Sequence, residues 1–272
     1  MRIWKYIFIG LFLILVVIWL GIFSFPDRRL HLIACDVGQG DAVLITYGNL
    51  DILIDGGPNN RVVDCLGKHL AFWDREIEVV ILTHPDSDHY AGLIEVFKRY
   101  KVDKFLTNGL SSSSQSYKVL ESEVGGGGIK TYIGKVGTRV RYEKMYLDIV
   151  SPQEARNEAE SNDNSLVMLL NYSRFEAILT GDAPKEILNA ISVNQPPDYI
   201  KLSHHGSKTG TDIFTVDAFM PRLAVISVGK NNYGHPNDEV LNLLKEKGIR
   251  ILRTDEMGDI EVESDGRGYL IR

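Results

Sequence analysis

Cysteine is almost missing. Cys35 and Cys65 are the only two in 272 residues, too few for a disulfide framework and without the paired spacing of a zinc site. Adjacent strands would let them join, while two small buried residues are the plainer alternative. An excess of positive charge is missing too. With 36 acidic against 30 basic residues the net charge is −6, which excludes coating of nucleic acid by bulk charge but leaves room for a local basic groove. The sequence has no internal repeat. Its 44% hydrophobic and 24% charged content excludes disorder and allows one sizeable core or two small ones.

Long apolar runs occur once. "IFIGLFLILVVIWLGIFSF" holds 19 residues without a charge. As a helix it would measure ~28 Å, close to the ~30 Å of a bilayer's hydrocarbon core. We expect residues 1–25 to be an uncleaved, single-pass membrane anchor and residues 26–272 to be the functional domain. Secretion after signal-peptide cleavage is the alternative, although the run is long for a signal peptide and no small-x-small pattern follows it. Arg2 and Lys5 before the run nearly balance Arg28 and Arg29 after it. The export-like order of the start places the domain on the extracytoplasmic side.

Beyond residue 30 the chain alternates strand-like and helical stretches. "LHLIACDV" and "AVLITYG" flank "GQGD"; "LDILIDGG" and "EVVILTHP" follow as strands. "SSSSQS" and "GGGG" bracket a segment expected to be mobile. "SLVMLLNY", "FEAILTG", "YIKLSHHGS" and "LAVISVGK" read as further strands. "PNDEVLNLLKEKG" is a helix stopped by Gly248, and the last 23 residues read as closing strands.

Metal-capable side chains collect at the ends of these strands. His84, Asp86, Asp88, His89, Asp182, His204, His205 and His235 all follow a strand or precede a helix, and they include five of the seven histidines. Strand-end loops on one edge of a sheet can gather ligands from distant parts of a chain. In an extended backbone, positions 84, 86 and 88 share a side. His84 and Asp86 would then grip one cation, and Asp88 with His89 a second. Taken alone, "HPDSDH" also reads as a helix start with an aspartate as N-cap. Asp182 in "LTGD" and His205 in "SHHGS", in matching contexts, argue against so plain a role.

"HPDSDH" resembles the metallo-β-lactamase motif H-x-[HD]-x-D-H. The ordered blocks "DVGQGDAVLI", "LIDGG", "THPDSDHYAGL", "NDNSLVMLL", "LTGDA", "LSHHGS" and "YGHP" are similar to the extracytoplasmic nuclease-like domain of the ComEC/Rec2 competence proteins. The likeness covers about residues 30–265. The multi-helix channel of those proteins has no counterpart here. The resemblance implies an α/β fold, an αββα metallo-β-lactamase-like sandwich, here preceded by one N-terminal transmembrane helix.

It also implies two divalent ions, zinc or manganese. His84 and Asp86 would hold the first, Asp88 and His89 the second, and Asp182 would bridge them. His205 is the better further ligand, with His204 second. Asp55 is an outer acceptor for an imidazole or a structural turn residue. Asp86 stands where better-known members carry a histidine, and Asp163 or Asn164 is all that occupies the place of another. The first site is therefore oxygen-rich, which admits manganese or magnesium.

The implied chemistry is phosphodiester hydrolysis by activated water at a site centred on Asp88, with His235 or His204 protonating the leaving oxygen. Asp36, Gln39 and Asp41 line the rim or satisfy a turn. Lys201, Lys208 and Lys230 are candidates for phosphate contacts. Nucleic acid is the expected substrate, the membrane a partner through the N-terminal helix, and DNA-uptake components possible partners. Hydrolysis of a small ester, lactone or lactam is the alternative reaction, and a non-catalytic binding module the third reading.

Overall fold

The computed structural model describes residues 2–23, 28–155 and 160–272. Its strands alternate buried and partly exposed side chains where one face meets solvent, as in "MYLDIVS". They are buried throughout where both faces are covered, as in "LDILI".

The first sheet is built from β1 (Leu30–Ala34), β2 (Val43–Tyr47), β3 (Leu50–Ile54), β4 (Glu76–Leu82), β5 (Lys101–Thr107) and β6 (Lys130–Ile133). The second contains β7 (Arg139–Tyr142), β8 (Met145–Ser151), β9 (Val167–Tyr172), β10 (Phe175–Leu179), β11 (Tyr199–Lys201), β12 (Leu223–Ile226) and β13 (Arg250–Arg253). The chain then returns to the first sheet with β14 (Ile260–Ser264) and β15 (Tyr269–Ile271), giving the orders β15-β14-β1-β2-β3-β4-β5-β6 and β13-β12-β11-β10-β9-β8-β7.

Helices α1 (Arg2–Phe23), α2 (Arg61–His69), α3 (Ser87–Tyr90), α4 (Leu93–Arg99), α5 (Gln115–Gly126), α6 (Lys185–Leu188), α7 (Ile213–Phe219) and α8 (Asp238–Glu246) connect the strands. One apolar cluster lies between the sheets, with Ile45, Ile52, Leu170 and Val225 in it. A second joins the first sheet to α2, α4 and α5 through Leu66, Val96 and Leu120. A third joins the second sheet to α6, α7 and α8 through Leu188, Phe219 and Leu244. The result is the four-layer αββα arrangement expected.

Three expectations change. The segment between "SSSSQS" and "GGGG" is not slack. Ser114 caps α5 by accepting from the Tyr117 amide, and Tyr117, Leu120 and Val124 are buried against the first sheet. Cys35 and Cys65 form a disulfide, with Cα atoms 5.8 Å apart, which ties the end of β1 to α2. Finally, among the described residues no helix is long and apolar enough to cross a membrane. The 22-residue α1 (Arg2–Phe23) is present and apolar. The expected boundary at residues 25–26 lies outside the described residues.

Candidate metal centre

Parallel pairing decides where the site sits. β3, β4 and β5 run parallel in one sheet, and β10, β11 and β12 run parallel in the other. Their C-terminal ends therefore open on common edges, and the loops that leave them meet across the sandwich.

The backbone of the opening motif departs from an extended chain. Residues 87–90 form one helical turn, in which the amides of His89 and Tyr90 donate to the Asp86 carbonyl. Asp86 occupies the N-cap position, yet its side chain makes no capping hydrogen bond. Its Oδ2 lies 3.6 Å from His84 Nε2 instead. The helix start is thus right for the backbone, and the carboxylate is turned to the imidazole.

Each buried imidazole is fixed from behind. His89 Nδ1 meets Asp55 Oδ2 at 2.8 Å. The Thr83 amide and hydroxyl also donate to the Asp55 carboxylate, at 2.8 Å each. With its hydrogen spent on Asp55, Thr83 Oγ1 accepts from His84 Nδ1 at 3.0 Å. His205 Nδ1 donates to the Ser227 carbonyl at 2.9 Å. With every Nδ1 engaged in this way, the free ring nitrogen of His84, His89 and His205 is Nε2.

Those nitrogens face carboxylates. His205 Nε2 is 3.3 Å from Asp88 Oδ2 and 3.8 Å from Asp182 Oδ2. His89 Nε2 is 3.4 Å from the same Asp182 oxygen, and His204 Nε2 is 3.8 Å from it. One ligand atom from each of Asp88, His89, Asp182 and His205 lies within 4.8 Å of all the others. Ligands at the usual zinc distance of ~2.0–2.1 Å stand about 3.3–3.4 Å apart on the edges of a tetrahedron, so this set fits a divalent ion. Four buried atoms here also lack hydrogen-bond partners: His84 Nε2, His89 Nε2, Asp182 Oδ1 and His235 Nδ1. An isolated buried polar atom is costly unless a ligand takes it up. His84 and Asp86 form a less complete pair beside the four.

The charges explain the protonation of the centre. Burial pulls His89 down, but Asp182 and Asp55 outweigh it and hold the imidazole well above its usual range. Burial likewise opposes the charge on His205, and Asp182 and Asp41 push it up to about 10. Burial would raise Asp182, yet His89 and His205 hold it well below the ordinary carboxylate range. Asp88 is lowered by His205 and His89 against the same burial. Asp86 is lowered by its contact with His84. A cation binding here replaces protons on buried imidazoles.

Local strain supports the placement. His204 and His205 both adopt left-handed backbone, with φ of 47° and 53°, conformations kept only where surroundings enforce them. Gly181 has φ +50°, and a Cβ there would meet Ser165 Oγ at 2.3 Å. Only glycine lets "LTGD" pass so close and deliver Asp182.

Some expected residues lie elsewhere. Asp36 turns back to the Gly38 amide at 3.2 Å and pairs with Arg61, away from the histidines. Asp163 is exposed. Asn164 is buried, but its amide donates to the Glu160 carbonyl at 3.0 Å and holds the loop. Asp41 is not on the rim: it is buried, and its carboxylate accepts from Lys201 Nζ at 2.7 Å. Lys201 is 1% exposed, so it cannot reach a phosphate. His235 joins the site, with its ring 5.3 Å from that of His204. Burial and its histidine neighbours hold it below the usual imidazole range.

Sequence reasoning missed Ser165, whose hydroxyl accepts from the Asp182 amide at 3.0 Å and lies 3.3 Å from His84 Nδ1. It also missed Thr83 and the backbone of Ser227. Ser165 alone carried a signal, as the last residue of "NDNS".

Residues 35–113 match the metallo-beta-lactamase superfamily model. Over 85% of its length the chain is 34% identical to ComE operon protein 3 of Bacillus subtilis. It is 27% identical over 84% of its length to recombination protein 2 of Haemophilus influenzae. It spans about a third of the length of these curated relatives, 33% and 28% respectively. Among solved structures, the metallo-beta-lactamase fold protein YhfI of Bacillus subtilis aligns with a TM-score of 0.58 at 9% identity, covering 87% of this chain and 100% of that one. The diiron beta-hydroxylase CmlA of Streptomyces venezuelae aligns with the same score at 13% identity, covering 88% and 55%. The chain thus has the metallo-beta-lactamase fold, and over most of its length it is similar to a portion of the ComEC/Rec2-type competence proteins.

Proposed function

We propose that this chain is a membrane-anchored, metal-dependent phosphodiesterase that cuts nucleic acid with a water activated between two divalent ions. The observation that carries the reading is the set of three buried imidazole Nε2 atoms, of His84, His89 and His205, aimed at the carboxylates of Asp86, Asp182 and Asp88. His84 and Asp86 would hold a first ion and Asp88, His89 and His205 a second, with Asp182 serving both. When bound, the ions acidify a water and offset the charge that grows on the phosphoryl oxygens. Asp55, Thr83 and the Ser227 carbonyl keep the imidazoles in the ligating tautomer. His235, whose ring lies 5.3 Å from that of His204, lines the same cleft. His204 opens onto the cleft and protonates the leaving oxygen. The oxygen-rich first site suits manganese as well as zinc.

Relatives named recombination protein 2 and competence protein ComA support nucleic acid as the substrate, with uptake components as partners. Residues 1–25 form the anchor and 26–272 the hydrolase domain in this proposal, on the strength of the 19 uncharged residues and the exposed apolar side chains of α1. The disulfide favours an oxidising, extracytoplasmic location. The test is turnover by the full chain in detergent micelles, with manganese or zinc, on labelled oligonucleotides, nitrocefin and a lactone. The reading requires oligonucleotide cleavage that chelation and Asp88→Ala both abolish. Cleavage of the lactam or lactone alone would replace it with the small-ester reading.

A further inference from the structure

We propose that Tyr233 is a stacking platform for an unpaired nucleobase, which makes the cleft beside the metal centre a site for single-stranded nucleic acid. The proposal deepens the phosphodiesterase reading and rests on it.

A cleft of about 690 Å³ opens over Asp88, Asp182 and His205, and the loop Lys230–His235 forms one wall of it. Tyr233 is 76% exposed on that wall. Single exposed aromatics are common and need no function. This one differs in how firmly it is presented. The Asn231 side chain makes four hydrogen bonds within its own loop. Its Nδ2 donates to the carbonyls of Gly229 at 2.9 Å and His235 at 2.7 Å. Its Oδ1 accepts from the amides of Tyr233 at 3.0 Å and His235 at 3.1 Å. The base of the loop is also locked: Gly229 passes so near the "DVGQGD" turn that a Cβ would meet the Gly38 carbonyl carbon at 2.5 Å. The ring is held out by a braced backbone and stays 76% exposed.

Its position continues a series of rings. Tyr233 lies 5.9 Å from His235, tilted by 34°. His235 lies 5.3 Å from His204, whose Nε2 is 3.8 Å from Asp182. The series leads from solvent to the shared carboxylate, and its outer end presents an open aromatic face. A nucleobase is the planar group that extends it while its own phosphate lies toward the centre. Every base has such a face, so stacking is tolerant of sequence. In a duplex those faces are already covered by neighbouring bases, and only a splayed strand offers one. Lys230, exposed at the same rim, supplies a cation for an adjacent phosphate. The net charge of −6 offers a nucleic-acid backbone no bulk positive field, so affinity leans on stacking more than on charge.

The test uses the full chain in detergent micelles with EDTA, so that binding is read without turnover. Fluorescence anisotropy compares a labelled oligo-dT with a duplex of the same length. Tyr233→Ala weakens oligo-dT binding about tenfold, the scale of one lost base–aromatic stack. Tyr233→Phe stays within twofold of wild type, and Tyr233→Leu falls with alanine because bulk alone does not stack. Melting temperatures of all variants match wild type, since the ring is exposed. Binding by Tyr233→Ala equal to wild type, binding by Tyr233→Leu equal to Tyr233→Phe, or equal affinity for duplex and single strand overturns the proposal. Failure to cleave any oligonucleotide, with this binding pattern intact, would sink the phosphodiesterase reading and leave only a binding site for single strands.

Discussion

Replacing Lys201 with methionine tests whether the centre is built on a buried ion pair. Lys201 is 1% and Asp41 3% exposed. The ammonium donates to Asp41 at 2.7 Å and to the Leu202 carbonyl at 3.2 Å. Asp41 Oδ1 also lies 3.3 Å from His205 Nδ1, so the pair sits directly behind a candidate ligand. Methionine keeps the length and apolar bulk of the stem but strands a buried carboxylate. Breaking one side of such a pair costs about 3–5 kcal/mol. For a domain of this size, each kcal/mol moves the melting temperature by roughly 2–4 °C, so Lys201→Met melts roughly 6–20 °C below wild type. Adding Asp41→Asn to Lys201→Met removes the stranded charge and recovers part of the loss. The pH dependence follows from Asp41. Burial would raise its pKa, but Lys201 and His205 hold it below the carboxylate range. Its stabilisation is therefore full above the unfolded pKa and is lost only as pH falls through the lower folded value. The assay is thermal unfolding by circular dichroism of the full chain in micelles. A single variant that melts within 1 °C of wild type, or a double variant no more stable than the single, refutes the reasoning.

Two further perturbations read other parts of the account. Asp55→Ala removes the acceptor behind His89 and lowers zinc affinity by about 10–100-fold, measured by competition with a chromophoric chelator; unchanged affinity would show that the tautomer needs no such partner. Asp51 on β3 is buried, and burial together with Glu78 and Asp74 pushes it up to about 7. Because the folded pKa lies above the unfolded one, stability falls as pH rises from about 4 to about 7 and then levels off. Asp51→Asn therefore gains about 2–4 kcal/mol over wild type at pH 8 and little at pH 4 in urea unfolding, whereas a gap that does not change with pH contradicts the shift.

Much of this centre could be read from local pattern. Apolar runs that end in polar turns located β3, β4, β10, β11 and β12, and the residues just past them included His84, His89, Asp182 and His205. What stayed hidden depends on contacts between distant positions. Lys201 at the end of β11 looks like a solvated cation until Asp41, 160 residues earlier, is found against it. The disulfide needed α2 to pack beside the end of β1, which spacing cannot reveal. Periodicity placed Asp86 and Asp88 on one extended face, but the hydrogen bonds that His89 and Tyr90 donate to Asp86 wind them into a turn. Serine runs and glycines suggested slack around α5, and the buried Tyr117, Leu120 and Val124 outweighed them. The return of β14 beside β1 is a pairing between chain ends that no local signal encodes.

The most direct test is a count of metal. The full chain, loaded with zinc or manganese in micelles and stripped of free ion by gel filtration, is measured by inductively coupled plasma mass spectrometry. The account predicts two ions per chain in wild type, one in His205→Ala and none in Asp182→Ala. A wild type that retains no ion, or an Asp182→Ala variant that still carries two, contradicts it.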